Sequence, residues 1–60
     1  MAEHVVRVWG EQYTVTASRQ SKAVWRATGE YQGQRIETKG QTEGAAVIRW
    51  REAAEYRGNG

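Results

Sequence analysis

The sequence predicts an α+β fold: three or four antiparallel strands form a meander, and one C-terminal helix packs on one face of the sheet. Up to about residue 40, β-branched and aromatic residues recur at every second position, and breaks containing Gly, Ser or Gln separate the runs. Beyond residue 42 the apolar spacing changes to that of an amphipathic helix. This change of period predicts the order of the elements.

Four runs fit strands, at residues 4–9, 12–18, 23–30 and 34–39. Turns are predicted at residues 10–11, 19–22 and 31–33, where Gly, Ser and Gln interrupt the alternation. The second run alternates most regularly, with Tyr13, Val15 and Ala17 on one face and hydroxyl residues on the other. The first two runs can instead form one long strand bent at Gly10. The sequence therefore predicts either three or four strands.

The helix is predicted over residues 42–57, and its apolar stripe consists of Ala46, Val47, Trp50, Ala53 and Ala54. Thr42 is a suitable N-cap, and Gly58 suits the left-handed position that often follows a helix. Gly44 weakens the first turn, since Gly costs about 1 kcal/mol relative to Ala in a helix. Residues 58–60 are predicted to be a frayed tail.

The helix is expected to cover the apolar sheet face. The expected core consists of Tyr13, Val15, Trp25, Ala27 and Ile36 from the sheet and Ala46, Val47, Trp50 and Ala54 from the helix. The other sheet face is then open and polar, with Arg7, Thr14, Thr16, Arg26, Arg35, Glu37 and Lys39 on it. A sheet with one solvated face is usual for antiparallel topology.

Composition limits the class of protein. A chain of 60 residues is predicted to be one domain, 1–60, with a thin core. It has no Cys, which excludes disulfides and thiol nucleophiles. There is neither an apolar run of about 18 residues nor the apolar segment of a signal peptide, so a soluble cytoplasmic protein without membrane contact is expected.

Catalytic chemistry has little support in the sequence. The chain has one His and no Asp, and His4 has no evident orienting partner. The scattered Glu residues do not have the spacing of zinc or calcium sites. The glycines do not form a phosphate-binding loop. The sequence thus predicts a protein that is not an enzyme and needs no metal or other cofactor.

The polar sheet face suggests double-stranded DNA as a partner. The net charge is only +2, but seven of the nine basic residues are Arg, whose planar group suits phosphate and guanine edges. Strands can enter a major groove, where Arg reads guanine and Thr contacts phosphate or a thymine methyl. The predicted DNA-binding residues are Arg7, Arg26, Arg35 and Lys39. An ordinary solvated sheet face is the alternative interpretation.

The segment of residues 25–53 carries a family resemblance. Its pattern consists of Trp25, Ala27, Tyr31, Gly33, Arg35, Thr42, Ala46 and Trp50. This pattern resembles the arm-type DNA-binding domains at the N-termini of tyrosine recombinases and phage integrases. The resemblance implies a three-stranded sheet inserted into the major groove and backed by one helix. It also implies DNA contacts by Arg26, Arg35 and Lys39.

A second function class remains open, a protein-interaction module or homodimer. The helix entry formed by Gly40, Thr42 and Ala46 also resembles that of small HicB-type antitoxin domains, which bind a protein partner. Ile48 falls on the polar side of the predicted helix, away from the apolar stripe. The exposed sheet edge or the outer helix face would then be the contact surface.

Overall fold

The computed structural model describes residues 2–58 and confirms the α+β fold. One antiparallel sheet contains β1 (Ala2–Val8), β2 (Glu11–Ser21), β3 (Val24–Tyr31) and β4 (Gln34–Gly40), paired in the order β1-β2-β3-β4. The helix α1 (Glu43–Gly58) follows and packs on one sheet face. Of the two alternatives, the sheet therefore has four strands. Gly58 ends the helix, and the rest of the predicted tail, residues 59 and 60, lies outside the described residues.

The first and third turns have the geometry that tight antiparallel hairpins require. Trp9 and Gly10 have φ angles of 52° and 85°, and Gln32 and Gly33 have φ angles of 51° and 81°. Positive φ at both central residues matches the right-handed twist of the strands, and Gly is favoured at the second position. The turn predicted at residues 10–11 was therefore one residue too late. Gly10 is the second turn residue. Trp9, which was predicted to end the first strand, is the first turn residue.

The second turn is shorter than predicted. Residues 19–21 belong to β2, so that only Lys22 and Ala23 form the connection. Neither residue has positive φ. The register shifts between Arg19 and Ser21, which indicates a bulge. A bulge increases local twist, and this one lies directly beside the turn that lacks the left-handed conformation of the other two.

The helix begins as its sequence predicts. The backbone N–H of Ala45 donates to Oγ1 of Thr42 over 3.1 Å, so Thr42 is the N-cap. Ala46 N–H donates to the Thr42 carbonyl over 3.0 Å and forms the first helical bond. The hydroxyl of Thr38 on β4 donates to the Ala46 carbonyl over 2.9 Å. This last bond attaches the first helical turn to the neighbouring edge strand.

The core forms one cluster between the helix and the sheet. Its buried members are Val8, Val15, Ala17, Ala27, Tyr31, Ile36, Ala46, Val47, Trp50 and Ala54. Val8, Ala17 and Tyr31 are buried but were not in the expected core, whereas Tyr13 and Trp25 are only partly buried at its margin. Tyr13 directs its hydroxyl to an exposed carboxylate, and Trp25 lies near the start of β3.

Trp50 is the largest fully buried side chain. Its Nε1 donates to the Ile36 carbonyl over 3.0 Å, and its ring lies 6.2 Å from the Tyr13 ring. The indole lies against Gly29, where an added Cβ would be 3.0 Å from the Trp50 ring and 2.9 Å from the Thr14 carbonyl oxygen. The sheet therefore needs a residue without a side chain beneath this ring.

Among residues 2–58, no helix has the length and apolar character needed to cross a membrane.

Replacing Trp50 with Ala is expected to unfold most of the protein at room temperature. Loss of a buried Trp costs about 3–5 kcal/mol, which is comparable to the whole stability of a small domain, about 5 kcal/mol. Urea denaturation followed by circular dichroism measures the loss. Tyr56→Ala is the control, since Tyr56 is 83% exposed and its removal should change the unfolding free energy by less than about 0.5 kcal/mol. A cooperatively folded Trp50→Ala variant of wild-type stability would contradict the packing.

Gly44→Ala is expected to raise the unfolding free energy by about 0.5–1 kcal/mol, because Ala restricts the unfolded chain and suits a helix. An added Cβ at Gly44 meets no atom within 4 Å. The matched substitution Gly29→Ala should destabilise the fold, since its methyl would meet backbone and indole atoms. Urea midpoints compare the two variants, and a destabilised Gly44→Ala variant would be the contrary result.

Candidate nucleic-acid interface

The sheet face opposite the helix, here called the open face, is polar along all four strands. Side chains alternate between the two faces of each strand, and the buried positions identify the covered face. The open face carries Glu3, Val5, Arg7, Gln12, Thr14, Thr16, Ser18, Arg26, Thr28, Glu30, Arg35, Glu37 and Lys39. All four basic residues predicted to bind DNA therefore lie on one surface.

Two of the four basic residues lie close together on neighbouring strands. Arg26 on β3 lies directly opposite Lys39 on β4, whereas Arg35 lies on the same face of β4 but four residues from Lys39, about 14 Å along the strand. Arg7 is also remote from Arg26 and Lys39. It lies opposite Gln12 on β2, whereas Arg26 lies opposite Ser18 on that strand. This separation is about 20 Å along the strand at roughly 3.4 Å per residue.

Carboxylates lie between these basic groups. Nη1 of Arg26 donates to Oε2 of Glu37 over 3.1 Å, and the two side chains are 37% and 41% exposed. Glu30 lies directly opposite Arg35 in the β3–β4 ladder. With Glu3, the open face has three carboxylates against four basic residues, a balance of +1. Affinity for a polyanion would therefore depend on the placement of the basic groups more than on net charge.

The Arg26–Glu37 pair could have been found from the sequence. If Gln32 and Gly33 are taken as the two central turn residues, Tyr31 must lie opposite Gln34. This first pair fixes the register of β3 and β4 along their whole length. The pair itself is diagonal, because Glu37 lies opposite Thr28. The Nε of Arg26 is buried and has no hydrogen-bond partner among the described residues. Arg26 is thus held against the sheet with part of its hydrogen-bonding capacity unused.

A shallow depression lies at the middle of the open face. Its lining consists of Thr14, Thr16, Thr28, Gly29, Glu30 and Arg35. Thr16 and Thr28 face each other across β2 and β3. Short hydroxyl side chains at the centre and longer charged side chains at the margin make a surface on which a ligand group can approach the sheet closely. Hydroxyls both donate and accept hydrogen bonds, which suits phosphate oxygens and base edges.

Two polar contacts on the helix side of the sheet involve titratable side chains that are candidates for chemistry. The ring of His4 contacts the Glu43 carboxylate at the start of α1, so His4 has an orienting partner that the sequence did not reveal. Tyr13 donates its hydroxyl to Oε2 of Glu11 over 2.8 Å. Among residues 2–58, no group of three or more His, Cys, Asp or Glu side chains could hold a metal ion. The absence of enzymatic activity and of cofactors stays a prediction from the sequence.

The pKa of Tyr13 is raised from 10.0 to about 12. The hydrogen bond to Glu11 is the main cause, followed by burial and by the negative charge of that carboxylate. Its hydroxyl is therefore a neutral hydrogen-bond donor throughout the physiological pH range.

Comparisons of the chain with protein-family models, with curated proteins and with solved structures find no match. The resemblances to recombinase arm-type domains and to HicB-type antitoxins stay predictions from the sequence.

Glu11→Gln is expected to lower the pKa of Tyr13 toward 10.0, because the carboxylate that stabilises the protonated phenol is removed. In the wild type, the unfolded chain loses this proton at a lower pH than the folded chain. The associated stabilisation is complete below about pH 10 and is lost as the pH rises toward 12. The Cζ chemical shift of Tyr13 follows the titration. Glu55→Gln is the control, and an unchanged titration in Glu11→Gln would refute this cause.

Proposed function

We propose that the chain is a non-catalytic module that binds double-stranded DNA through the open face of its sheet. The observation that supports this proposal is that Arg26, Arg35 and Lys39 share the open face of β3 and β4 with the central threonines, while the helix packs on the other side of the sheet. The helix braces the sheet and leaves the open face accessible. A cytoplasmic location, where DNA would be reachable, stays a prediction from the sequence.

The dimensions of the sheet favour entry by three strands. Strands lie about 4.8 Å apart, so β2 to β4 span about 10 Å between their axes. The major groove is about 12 Å wide. In this arrangement the threonines of β2 and β3 face the base edges, and Arg35 and Lys39 on the outer strand reach phosphates or guanine. Arg7 on β1 would then lie beside the groove, where it can reach only the backbone.

Glu37 has a specific part in this proposal. It holds the guanidinium of Arg26 in place, and it also competes with a phosphate for the same donors. The cost of breaking this pair is small because the pair is partly exposed. DNA binding therefore exchanges one anionic partner of Arg26 for another. Sequence discrimination is expected to depend on the Arg groups that reach bases, with modest total affinity.

A protein-interaction module is the second candidate, and the outer side of the helix favours it. Ile48 and Tyr56 are 58% and 83% exposed on α1, on the side of the molecule away from the open face. Amide chemical shifts distinguish the two candidates, since DNA should perturb the sheet strands. Perturbation centred on Ile48 would favour the second candidate.

The binding test uses a labelled duplex of mixed sequence at low salt, followed by fluorescence anisotropy. With about three phosphate contacts, the logarithm of the binding constant should fall with the logarithm of salt concentration at a slope near −3. Arg35→Gln should reduce the magnitude of this slope by about one unit if Arg35 contacts phosphate, or relax preference at one base pair if it reads guanine.

Glu37→Gln is expected to strengthen binding, because it releases Arg26 and removes a negative charge from the open face. Its matched control is Glu52→Gln, which makes the same change of net charge on an exposed position of the helix. Equal effects of the two substitutions would show that the open face is not the interface. Absence of binding at micromolar DNA would refute the proposal.

A further inference from the structure

Strand β1 is an edge of the sheet, and its unpaired backbone groups can be assigned to particular residues. Val8 and Glu11 flank the two-residue turn, so they form a hydrogen-bonded pair. Such pairs alternate along an antiparallel ladder with pairs whose N–H and C=O groups point away. The backbone groups of Glu3, Val5 and Arg7 therefore point away from β2, toward the free edge.

The side chains of these three residues share the open face. Val5 is 67% exposed, and it is flanked at two residues' distance by Glu3 on one side and Arg7 on the other. The order along the strand is negative, apolar, positive. When a second copy of the strand runs antiparallel to the first, each negative group therefore faces a positive group, and the two apolar residues face each other. Charged residues on an edge strand normally hinder edge-to-edge pairing. Here the two charges have opposite signs, so they hinder every register except the one in which Glu3 and Arg7 face each other.

We propose that two copies of this chain pair through β1, antiparallel, about a two-fold axis at Val5. Glu3 of each copy then lies opposite Arg7 of the second copy, and the two Val5 side chains face each other. Each of the three pairs is a hydrogen-bonded pair, in which both residues exchange N–H···O bonds. The interface is isologous, as is usual in a homodimer, and it adds strands to an existing edge.

Other registers are less favourable for a reason visible in the sequence. A shift by two residues places Val5 opposite Arg7 or opposite Glu3. In both registers Glu3 and Arg7 no longer face each other, so neither charge has an opposite charge across the interface. A shift by four residues places Arg7 opposite Arg7, or Glu3 opposite Glu3. Like charges that directly face each other across strands are destabilising. The charge pattern of β1 therefore selects the register centred on Val5.

The dimer would contain one continuous sheet of twice four strands, with both helices on the same side. Both open faces would lie together on the other side. Arg7 would be engaged by Glu3 of the second copy, while Arg26, Arg35 and Lys39 would stay accessible on the strands far from the axis. This inference is independent of DNA binding, because it rests on the edge of β1 alone.

Sedimentation equilibrium over a range of concentrations up to about millimolar tests the pairing without any DNA. The wild-type chain should show a concentration-dependent increase of mass toward a dimer, with concentration-dependent amide shifts at Glu3, Val5 and Arg7. Glu3→Arg and Arg7→Glu should each weaken dimerisation by about tenfold or more, since each puts like charges opposite each other at two places. Glu52→Arg on the helix is the matched charge control and should leave dimerisation unchanged.

Mixing the two single variants provides the decisive measurement. A Glu3→Arg chain and an Arg7→Glu chain restore opposite charges at both places, so they should form a heterodimer at concentrations where each alone is monomeric. The double variant Glu3→Arg/Arg7→Glu should dimerise like the wild type. A wild-type chain that stays monomeric, or a mixture that associates no better than its components, would overturn the proposal and would leave the test of the open face unaffected.

Discussion

The packing of the Trp50 indole against Gly29 determines how closely the helix approaches the sheet. The ring is fully buried, and it occupies space that any side chain at position 29 would fill. Its Nε1 donates to the Ile36 carbonyl, so burial leaves no polar atom of the indole unsatisfied. The approach is similarly close at Gly40, where an added Cβ would lie 2.5 Å from the Ala46 nitrogen. Because this packing uses the middle of one sheet face, the long polar side chains of β3 and β4 are left on the other face.

The open face distributes its charges in a way that favours specificity over affinity. Carboxylates lie among the basic groups on β1, β3 and β4, so that no large region of one sign exists. The pair of Arg26 and Glu37 is one example, in which an acidic neighbour orients a donor group. A surface on which positive and negative groups alternate attracts polyanions only weakly over long distances. Recognition then depends on matching individual groups at close range. In the proposed dimer, Glu3 and Arg7 on β1 would likewise match individual groups of a second copy at close range.

Much of the architecture could be predicted from periodicity and caps. The change of period near residue 40, the Thr42 cap and the stripe through Trp50 correspond to real elements. Turn positions were less predictable, because a Trp in the left-handed conformation is uncommon and Trp9 reads as a strand residue. Its indole donates to the Glu55 carbonyl over 3.2 Å, close to the C-terminus of the helix. This contact and that between His4 and Glu43 join residues far apart in sequence, so local patterns carry no sign of them.

The order of the strands has a consequence for how the chain acquires its structure during synthesis. Each strand pairs with its immediate predecessor, so the sheet needs only short loop closures and can assemble as the residues emerge. The element that covers it comes last. Until residue 50 is available, the sheet presents Val15, Ala27 and Ile36 to water without their cover. The nascent meander is therefore a preformed apolar surface on which the helix folds, and in that interval its exposed apolar residues make it prone to aggregation.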